Sequence, residues 1–354
     1  MSMLSNIFHA KSFTPLPSFK EIRSPIGMSQ RRFIHQQREQ IQQILEGRDP
    51  RLLVIVGPCS IHDPNAALEY ANKLAAIQRE FAPTLKIVMR TYFEKPRTRV
   101  GWKGFVVDPD LDGQHNIAQG IKLTRELLAS ILDLQLPTAT EFLDPNFAPY
   151  FADMICWGAI GARTTESQPH RQLVSGLRCP VGFKNSTDGN IDIAVDAIHA
   201  SRMPHSFIQC GDDGTHVVVH SEGNQHGHLI LRGGHSPNYA QSHIQAAAST
   251  LKRNDLAAKL VVDFSHGNSQ KVAQNQLKVA DDIAEQIRSG DDHIAGVMCE
   301  SFLQSGQQSV HQRPFNYGQS ITDECLNWQD TVHLLRVLHH ACLDRMKLRQ
   351  PATA

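Results

Sequence analysis

The sequence predicts the α/β class and, within it, a (β/α)8 (TIM) barrel with an N-terminal arm and helix and an inserted β-hairpin before the sixth barrel strand. Three observations carry this reading. Eight short apolar runs follow one another over roughly 290 residues, a span that one closed barrel fills. Helix-compatible stretches lie between the runs, the alternation expected of a parallel sheet. Every run ends at or beside a residue able to do chemistry, as expected where eight strand ends share one rim.

In chain order, residues 1–37 carry Lys11, Lys20, Arg23, Arg31 and Arg32 but only one acid, Glu21. A targeting segment has this bias. Three prolines and a basic stretch running straight into a helix point instead to an arm that packs on the body or on a partner chain. Residues 28–47 read as a polar helix ended near Gly47. The runs 52–56, 86–89, 138–142, 157–162, 181–183, 228–231, 260–264 and 294–298 read as strands. Residues 64–81, 116–134, 145–155, 169–176, 191–202, 240–254 and 270–289 read as the helices between them. Within 206–221, Gly211-Asp212-Asp213-Gly214 separates two β-rich runs, which is a hairpin signal. The chain is therefore divided into an arm and helix at 1–50, serving assembly or regulation, and a catalytic barrel at 51–354.

Composition narrows the function. Of 354 residues, 41% are hydrophobic and 20% charged, enough apolar surface for a large core. Lys+Arg and Asp+Glu both number 35, so no basic excess calls for nucleic acid or an anionic membrane. The seven cysteines are scattered without a close pair, which fits a reducing, cytoplasmic setting.

The strand ends carry the chemistry. They bear Cys59, Arg90, Glu141, Arg163, Lys184, Arg232, His266 and Glu300, and the loop Glu94-Lys95-Pro96-Arg97-Thr98 follows the second strand. Six cations on one rim of a neutral chain (Arg90, Lys95, Arg97, Arg163, Lys184, Arg232) ask for substrates with several phosphates or carboxylates. As isolated surface ion pairs they would mean little. Cys59, His266, Glu300 and Asp323 follow strands one, seven and eight, which are neighbours in a barrel. Such a set suits a divalent first-row metal, although a small buried Cys and a hydrogen-bonded His would read the same way. Gly233-Gly234, Gly101 and Gly104 either make turns or let backbone N–H groups approach a phosphate.

The motifs Gly57-Pro58-Cys59-Ser60-Ile61-His62, Met89-Arg90-Thr91-Tyr92-Phe93-Glu94-Lys95-Pro96-Arg97-Thr98, Gly158-Ala159-Ile160-Gly161-Ala162-Arg163-Thr164-Thr165-Glu166-Ser167, Pro180-Val181-Gly182-Phe183-Lys184-Asn185, Leu231-Arg232-Gly233-Gly234 and Asp263-Phe264-Ser265-His266-Gly267-Asn268 resemble, in order, those of type I 3-deoxy-D-arabino-heptulosonate-7-phosphate (DAHP) synthases. The resemblance runs from about residue 51 to about residue 336. It implies a transferase that condenses phosphoenolpyruvate with erythrose 4-phosphate and water at the head of the shikimate pathway. It also implies one divalent metal ion per subunit (Mn, Fe, Co, Zn or similar), held by Cys59, His266, Glu300 and Asp323. Phosphoenolpyruvate would meet Arg90, Lys95, Arg163, Lys184 and Arg232 with backbone help at Ala162. Erythrose 4-phosphate would meet Lys95, Pro96, Arg97, Thr98 and Asp323. Lys95, Cys59 and His266 would serve catalysis, Lys95 as proton donor to the new alkoxide. Many members are homodimers or homotetramers inhibited by an aromatic amino acid at a separate pocket, here at Pro145, Pro149, Arg178 and Gln209 with a neighbour's arm. Pro145-Asn146 is similar to Tyr-sensitive members, whereas 263–268 and 319–323 are similar to Trp-sensitive ones. Cys325, two residues beyond Asp323, is expected to approach Cys59. Two rivals remain: a sister synthase using a five-carbon phosphate, against which the Lys-Pro-Arg-Thr loop speaks, and an inactive aromatic-amino-acid sensor, which would have lost a ligand or cation.

Overall fold

The computed structural model describes residues 7–10, 12–22 and 26–349; of the expected arm and barrel segments, residues 1–6, Lys11, 23–25 and 350–354 lie outside the described residues. Eight parallel strands close on themselves: β1 (Leu52–Gly57), β2 (Leu85–Arg90), β3 (Thr138–Glu141), β4 (Trp157–Ile160), β5 (Val181–Lys184), β8 (Gly227–Leu231), β9 (Leu260–Asp263) and β10 (Ile294–Glu300), with β10 pairing back to β1. The order around the barrel follows the chain, except that β6 (Ser206–Cys210) and β7 (His216–His220) form a separate antiparallel hairpin between β5 and β8. Nearly every barrel-strand residue is buried, because a parallel sheet is covered on both faces and its strands read as unbroken apolar runs.

The helices are α1 (Phe19–Ile22), α2 (Met28–Leu45), α3 (Pro64–Phe81), α4 (Ile117–Asp133), α5 (Ala148–Phe151), α6 (Gln168–Gly176), α7 (Asp192–Arg202), α8 (Gln241–Arg253), α9 (Asn275–Arg288) and α10 (Trp328–Arg349). Local chemistry sets several starts. Asp63 accepts from the Asn65 and Ala66 amides at 2.9 and 3.2 Å, and Pro64 occupies the first turn of α3, where its missing N–H costs nothing. The expected helix at 145–155 is a single turn, α5, followed by a 3-10 turn at Ala152–Met154, since Pro149 lies four residues inside the expected span and has no N–H for the Pro145 carbonyl, so that the helical turn starts beside it instead. The expected helix at 270–289 begins only at Asn275, because His266, Gln270 and Lys271 have φ of 58, 54 and 63° and hold a tight loop. The long helix α10 closes the last β/α unit; its buried stripe mixes Thr331, Cys342 and Arg345 with leucines, so the sequence carries little apolar contrast there.

The base of the barrel is tied to α2. Arg38 donates to the carbonyls of Ala152 and Ile155 at 2.8 and 2.9 Å, and Lys86, near the start of β2, donates to Gln40 Oε1 at 2.7 Å and to Gln37. Ile41 and Ile44 are buried beneath. Among the described residues no helix is long and apolar enough to cross a membrane.

Inside the lower barrel, Trp157 donates its indole N–H to His228 Nε2 at 3.1 Å, and His228 Nδ1 lies 3.1 Å from the His226 carbonyl. Burial pushes His228 down to about 4, so it stays neutral when folded. The unfolded chain binds that proton near 6.5, so stability present at neutral pH is lost as the pH falls from about 6.5 toward about 4. His228→Gln, which keeps an acceptor for Trp157, is expected to flatten this stretch of the curve of melting temperature against pH. A slope equal to that of the parent chain would count against the pair.

Candidate active site

The C-terminal ends of the strands surround a cavity of about 250 Å³. Seven cations line it (Arg90, Lys95, Arg97, Arg163, Lys184, Arg232 and Lys271) against the carboxylates of Glu141 and Asp323. Pro96, Thr98, Ala162 and His266 complete the parts of the wall expected from the sequence. Each cation is held differently. Arg90 is buried at the end of β2, donating to the Pro58 and Cys59 carbonyls at 3.0 and 3.1 Å and to Glu300 Oε1 at 2.8 Å, with its guanidinium 3.5 Å from the Tyr92 ring centroid. Lys95 donates to Cys59 Sγ at 2.9 Å and to the Cys59 carbonyl at 3.3 Å. Burial opposes its charge, but Cys59, Glu300 and Asp323 outweigh burial and hold Lys95 above the ordinary lysine value. Arg97 donates to the Trp102 carbonyl at 2.8 Å, and Arg163 to Thr98 Oγ1 at 3.0 Å. Burial, assisted by the like charge of Arg163, lowers Arg232 below the ordinary arginine value. A site that desolvates and crowds cations in this way is built for anions.

Beside the cations, ligand atoms of Cys59, Glu300 and Asp323 all lie within 4.8 Å of one another. Cys59 Sγ accepts the Asp323 N–H at 3.3 Å. His266 stands at the edge of this group, its Nε2 4.0 Å from Glu300 Oε1. Burial and the charge of Glu300 push the Cys59 thiol up to about 11, while Asp323 is held below the ordinary carboxylate value by Lys95 and His266 despite burial. Two acids and a buried thiol facing one another repel as anions, and a divalent cation among them removes that repulsion. Cys325 does approach Cys59, its Sγ lying 3.3 Å from the Cys59 amide nitrogen, and both thiols are free.

The structure decides between the two readings of Gly233-Gly234. Gly233 and Gly234 do not offer amides to a phosphate, because Gly233 N–H is taken by Asn238 Oδ1 at 2.8 Å and Gly234 N–H by the Ser236 carbonyl at 2.9 Å. Their lack of a Cβ serves packing: a Cβ on Gly233 would lie 2.5 Å from the Gly267 carbonyl carbon, and one on Gly234 2.3 Å from the Asp188 oxygen.

Of the expected effector positions, the structure joins Pro145 and Gln209, whose Nε2 donates to the Pro145 carbonyl at 3.0 Å. Pro149 lies in α5. Arg178 lines a different and larger cavity, of about 900 Å³, beneath α2. The chain's own arm reaches this side: Tyr150 donates to the Pro17 carbonyl at 3.2 Å, and Lys20 N–H to Asp212 at the hairpin tip at 2.8 Å.

Three functional side chains escaped the sequence reading. Lys271 joins the cavity wall through the tight loop after β9. Gln276 exchanges two bonds with the Glu300 backbone, at 3.0 and 2.9 Å, and fixes the end of β10. Glu94 accepts from the Asp144 and Leu143 amides at 2.9 and 3.4 Å, tying the Lys95–Thr98 loop to the segment after β3. The motif Glu94-Lys95-Pro96-Arg97 was the available signal for Glu94, but its partner amides were not.

Burial pushes the Glu94 carboxyl up to about 8 against an ordinary 4.5. The folded chain therefore holds this proton longer than the unfolded one, and stability falls as the pH rises from about 4.5 through about 8. Glu94→Gln is expected to lessen that fall and to melt above the parent chain at pH 8.5, as read by differential scanning calorimetry. Equal melting temperatures at pH 8.5 with equal slopes would contradict the buried carboxyl.

Comparison with known proteins agrees with this geometry. The model of the DAHP synthetase I family matches residues 27–336. The Trp-sensitive phospho-2-dehydro-3-deoxyheptonate aldolase of Salmonella typhimurium is 55% identical over 317 residues, 89% of this chain and 91% of its own. Its namesake in Escherichia coli K12 is 52% identical over 326 residues, 92% and 94% of the two chains. The solved phospho-2-dehydro-3-deoxyheptonate aldolase of Francisella tularensis superposes with a TM-score of 0.93 at 45% identity, covering 95% of this chain and 99% of that one.

Proposed function

The chain belongs to the DAHP synthetase I family, and from that premise we propose that the cavity at the barrel mouth is where it runs the family's reaction. It is a transferase that condenses phosphoenolpyruvate with erythrose 4-phosphate and water, giving DAHP and phosphate, the first step of the shikimate pathway to chorismate and the aromatic amino acids. The observation that carries the site assignment is the gathering of seven cations around about 250 Å³ beside the Cys59, Glu300 and Asp323 cluster.

In this reading Arg90, Lys95, Arg163, Lys184 and Arg232, with the backbone at Ala162, grip the phosphate and carboxylate of phosphoenolpyruvate. Arg97 and Thr98 hold the phosphate of erythrose 4-phosphate, with Pro96 shaping the loop and Lys95 and Asp323 near the aldehyde end. Holding both anions in place converts a bimolecular encounter into a positioned one. The cations also stand where the leaving phosphate gathers charge. Cys59, Glu300 and Asp323, with His266 at their edge, would hold one divalent ion per subunit, such as Mn, Fe, Co or Zn. When bound, such an ion supplies a Lewis acid for the aldehyde oxygen. The methylene carbon of phosphoenolpyruvate attacks the aldehyde carbon, and Lys95, kept protonated by the acids around it, gives its proton to the oxygen that becomes the new hydroxyl. Water then adds at the carbon bearing the phosphate, and phosphate departs.

Regulation follows from the relatives. Those of Salmonella typhimurium and Escherichia coli are named Trp-sensitive, and we extend Trp inhibition to this chain, with Pro145, Pro149, Arg178 and Gln209 as the effector region. Exposed apolar side chains on the arm and hairpin (Phe13, Leu16, Ile208, Val217 and Val218) favour a homodimer or homotetramer that covers them. Seven unpaired cysteines suit a reducing cytoplasm.

Two measurements test the activity and its regulation. Phosphate release from the two substrates is expected to vanish with a chelator and return with Mn²⁺, and Lys95→Met is expected to lower kcat by about 10²-fold or more. Near-full turnover in that variant would remove the proton-donor role. Titration with each aromatic amino acid is expected to give inhibition by Trp and none by Phe or Tyr; the reverse pattern would return the effector region to the Tyr-like reading of Pro145-Asn146.

A further inference from the structure

We propose that Asp263 is a positioning residue that serves both halves of the active site at once, setting the imidazole of His266 and the ammonium of Lys184 from one carboxylate. The inference rests on the metal and phosphoenolpyruvate roles proposed above. Asp263 ends β9 and is fully buried. Its Oδ2 lies 2.9 Å from His266 Nδ1 and 3.1 Å from Lys184 Nζ. Its Oδ1 accepts from the Ser265 amide at 3.0 Å and the Ser265 hydroxyl at 2.7 Å, which fixes the plane of the carboxylate.

The barrel makes this bridge possible. β8 lies between β5 and β9, so Lys184 and Asp263 stand on alternate strands, whose inward side chains share one layer of the interior. Lys184 is buried and needs a counter-charge; the other carboxylate near it, Glu141, stands 4.0 Å away against 3.1 Å for Asp263. On the other side, His266 Nδ1 faces Asp263 Oδ2 at 2.9 Å and, at 2.7 Å, the Ser265 hydroxyl that Asp263 Oδ1 anchors, so the carboxylate and the hydroxyl together fix the imidazole's tautomer and leave Nε2 facing Glu300 and the Cys59, Glu300 and Asp323 cluster. His266 holds a φ of 58°, a conformation that a non-glycine residue keeps only when its surroundings enforce it. Asp263 below, the Lys271 N–H on the His266 carbonyl at 2.9 Å and the Gly267 N–H on the Arg232 carbonyl at 3.0 Å supply that enforcement.

Asp263→Asn keeps the shape and removes the charge. Titration of the metal-free protein with Mn²⁺, followed by electron paramagnetic resonance of the free ion, is expected to show a dissociation constant raised about 10- to 100-fold. Steady-state kinetics at saturating Mn²⁺ are expected to show a raised KM for phosphoenolpyruvate and an unchanged KM for erythrose 4-phosphate, whose loop Asp263 does not touch. Ser265→Ala removes one bond to Oδ1 and also the hydroxyl's own contact with His266 Nδ1, so its readout for Asp263 is the phosphoenolpyruvate KM, expected to rise by a few-fold through the Asp263–Lys184 contact, and this keeps the test available if Asp263→Asn does not fold. Parent-like Mn²⁺ binding and phosphoenolpyruvate KM in the folded variants would overturn the proposal, as would equal shifts in both substrates' KM. Failure of the parent chain itself to bind Mn²⁺ would sink the metal assignment and this inference with it.

Discussion

Seven positive side chains face one small cavity, and the upper half of the barrel is organised around keeping them there. Two like charges roughly 5 Å apart repel by about 3 kcal/mol at an effective dielectric near 20, so an unbalanced ring of this kind would spread or deprotonate. The balance comes from below. Glu300 takes Arg90 at 2.8 Å, Asp263 takes Lys184 at 3.1 Å, and Lys95, bonded to the Cys59 sulfur at 2.9 Å, has the carboxylates of Glu300 and Asp323 opposite its charge. Arg97, Arg163, Arg232 and Lys271 have no such acid at contact distance among the described ion pairs. The site thus separates cations whose charge is met by the protein from cations whose charge the protein leaves unmet at the cavity.

Bringing these groups to one rim requires loops to touch where side chains would not allow it. Arg232 and His266 follow neighbouring strands, and the segments behind them are in contact through Gly233 and Gly267, where a Cβ on either would fall within 3 Å of the other's backbone. Gly233 has a φ of 73° as well, so a larger residue would meet both strain and collision. Glycine at 233 therefore acts on the site indirectly: it sets how closely Arg232 and His266 stand, while its own amide is taken by Asn238. The base of the barrel is handled by different means. There Arg38 and Lys86 fasten α2, and the buried Trp157–His228 pair fills space, so stability and reactivity are assigned to opposite ends of the same strands.

What could be read in the sequence follows from which interactions are local. Buried parallel strands announce themselves as apolar runs, and a charge that interrupts such a run stands out; the eight strands and six of the seven cavity cations were legible on that basis. Helix α10 was not, because its buried stripe includes Thr331 and Arg345, and neither was the loop that turns Lys271 into the cavity through positive φ at His266, Gln270 and Lys271. Asp263 shows the limit most clearly. In sequence it is one polar residue inside the run 260–264, where a strand-closing acid needs no explanation. Its meaning depends on β8 lying between β5 and β9, a fact of barrel order that brings a lysine 79 positions away to within 3.1 Å. A carboxylate that joins a lysine on another strand to a histidine in the loop after its own is visible only once the sheet has closed, so residues that position others are the part of an active site that pattern reading is least able to recover.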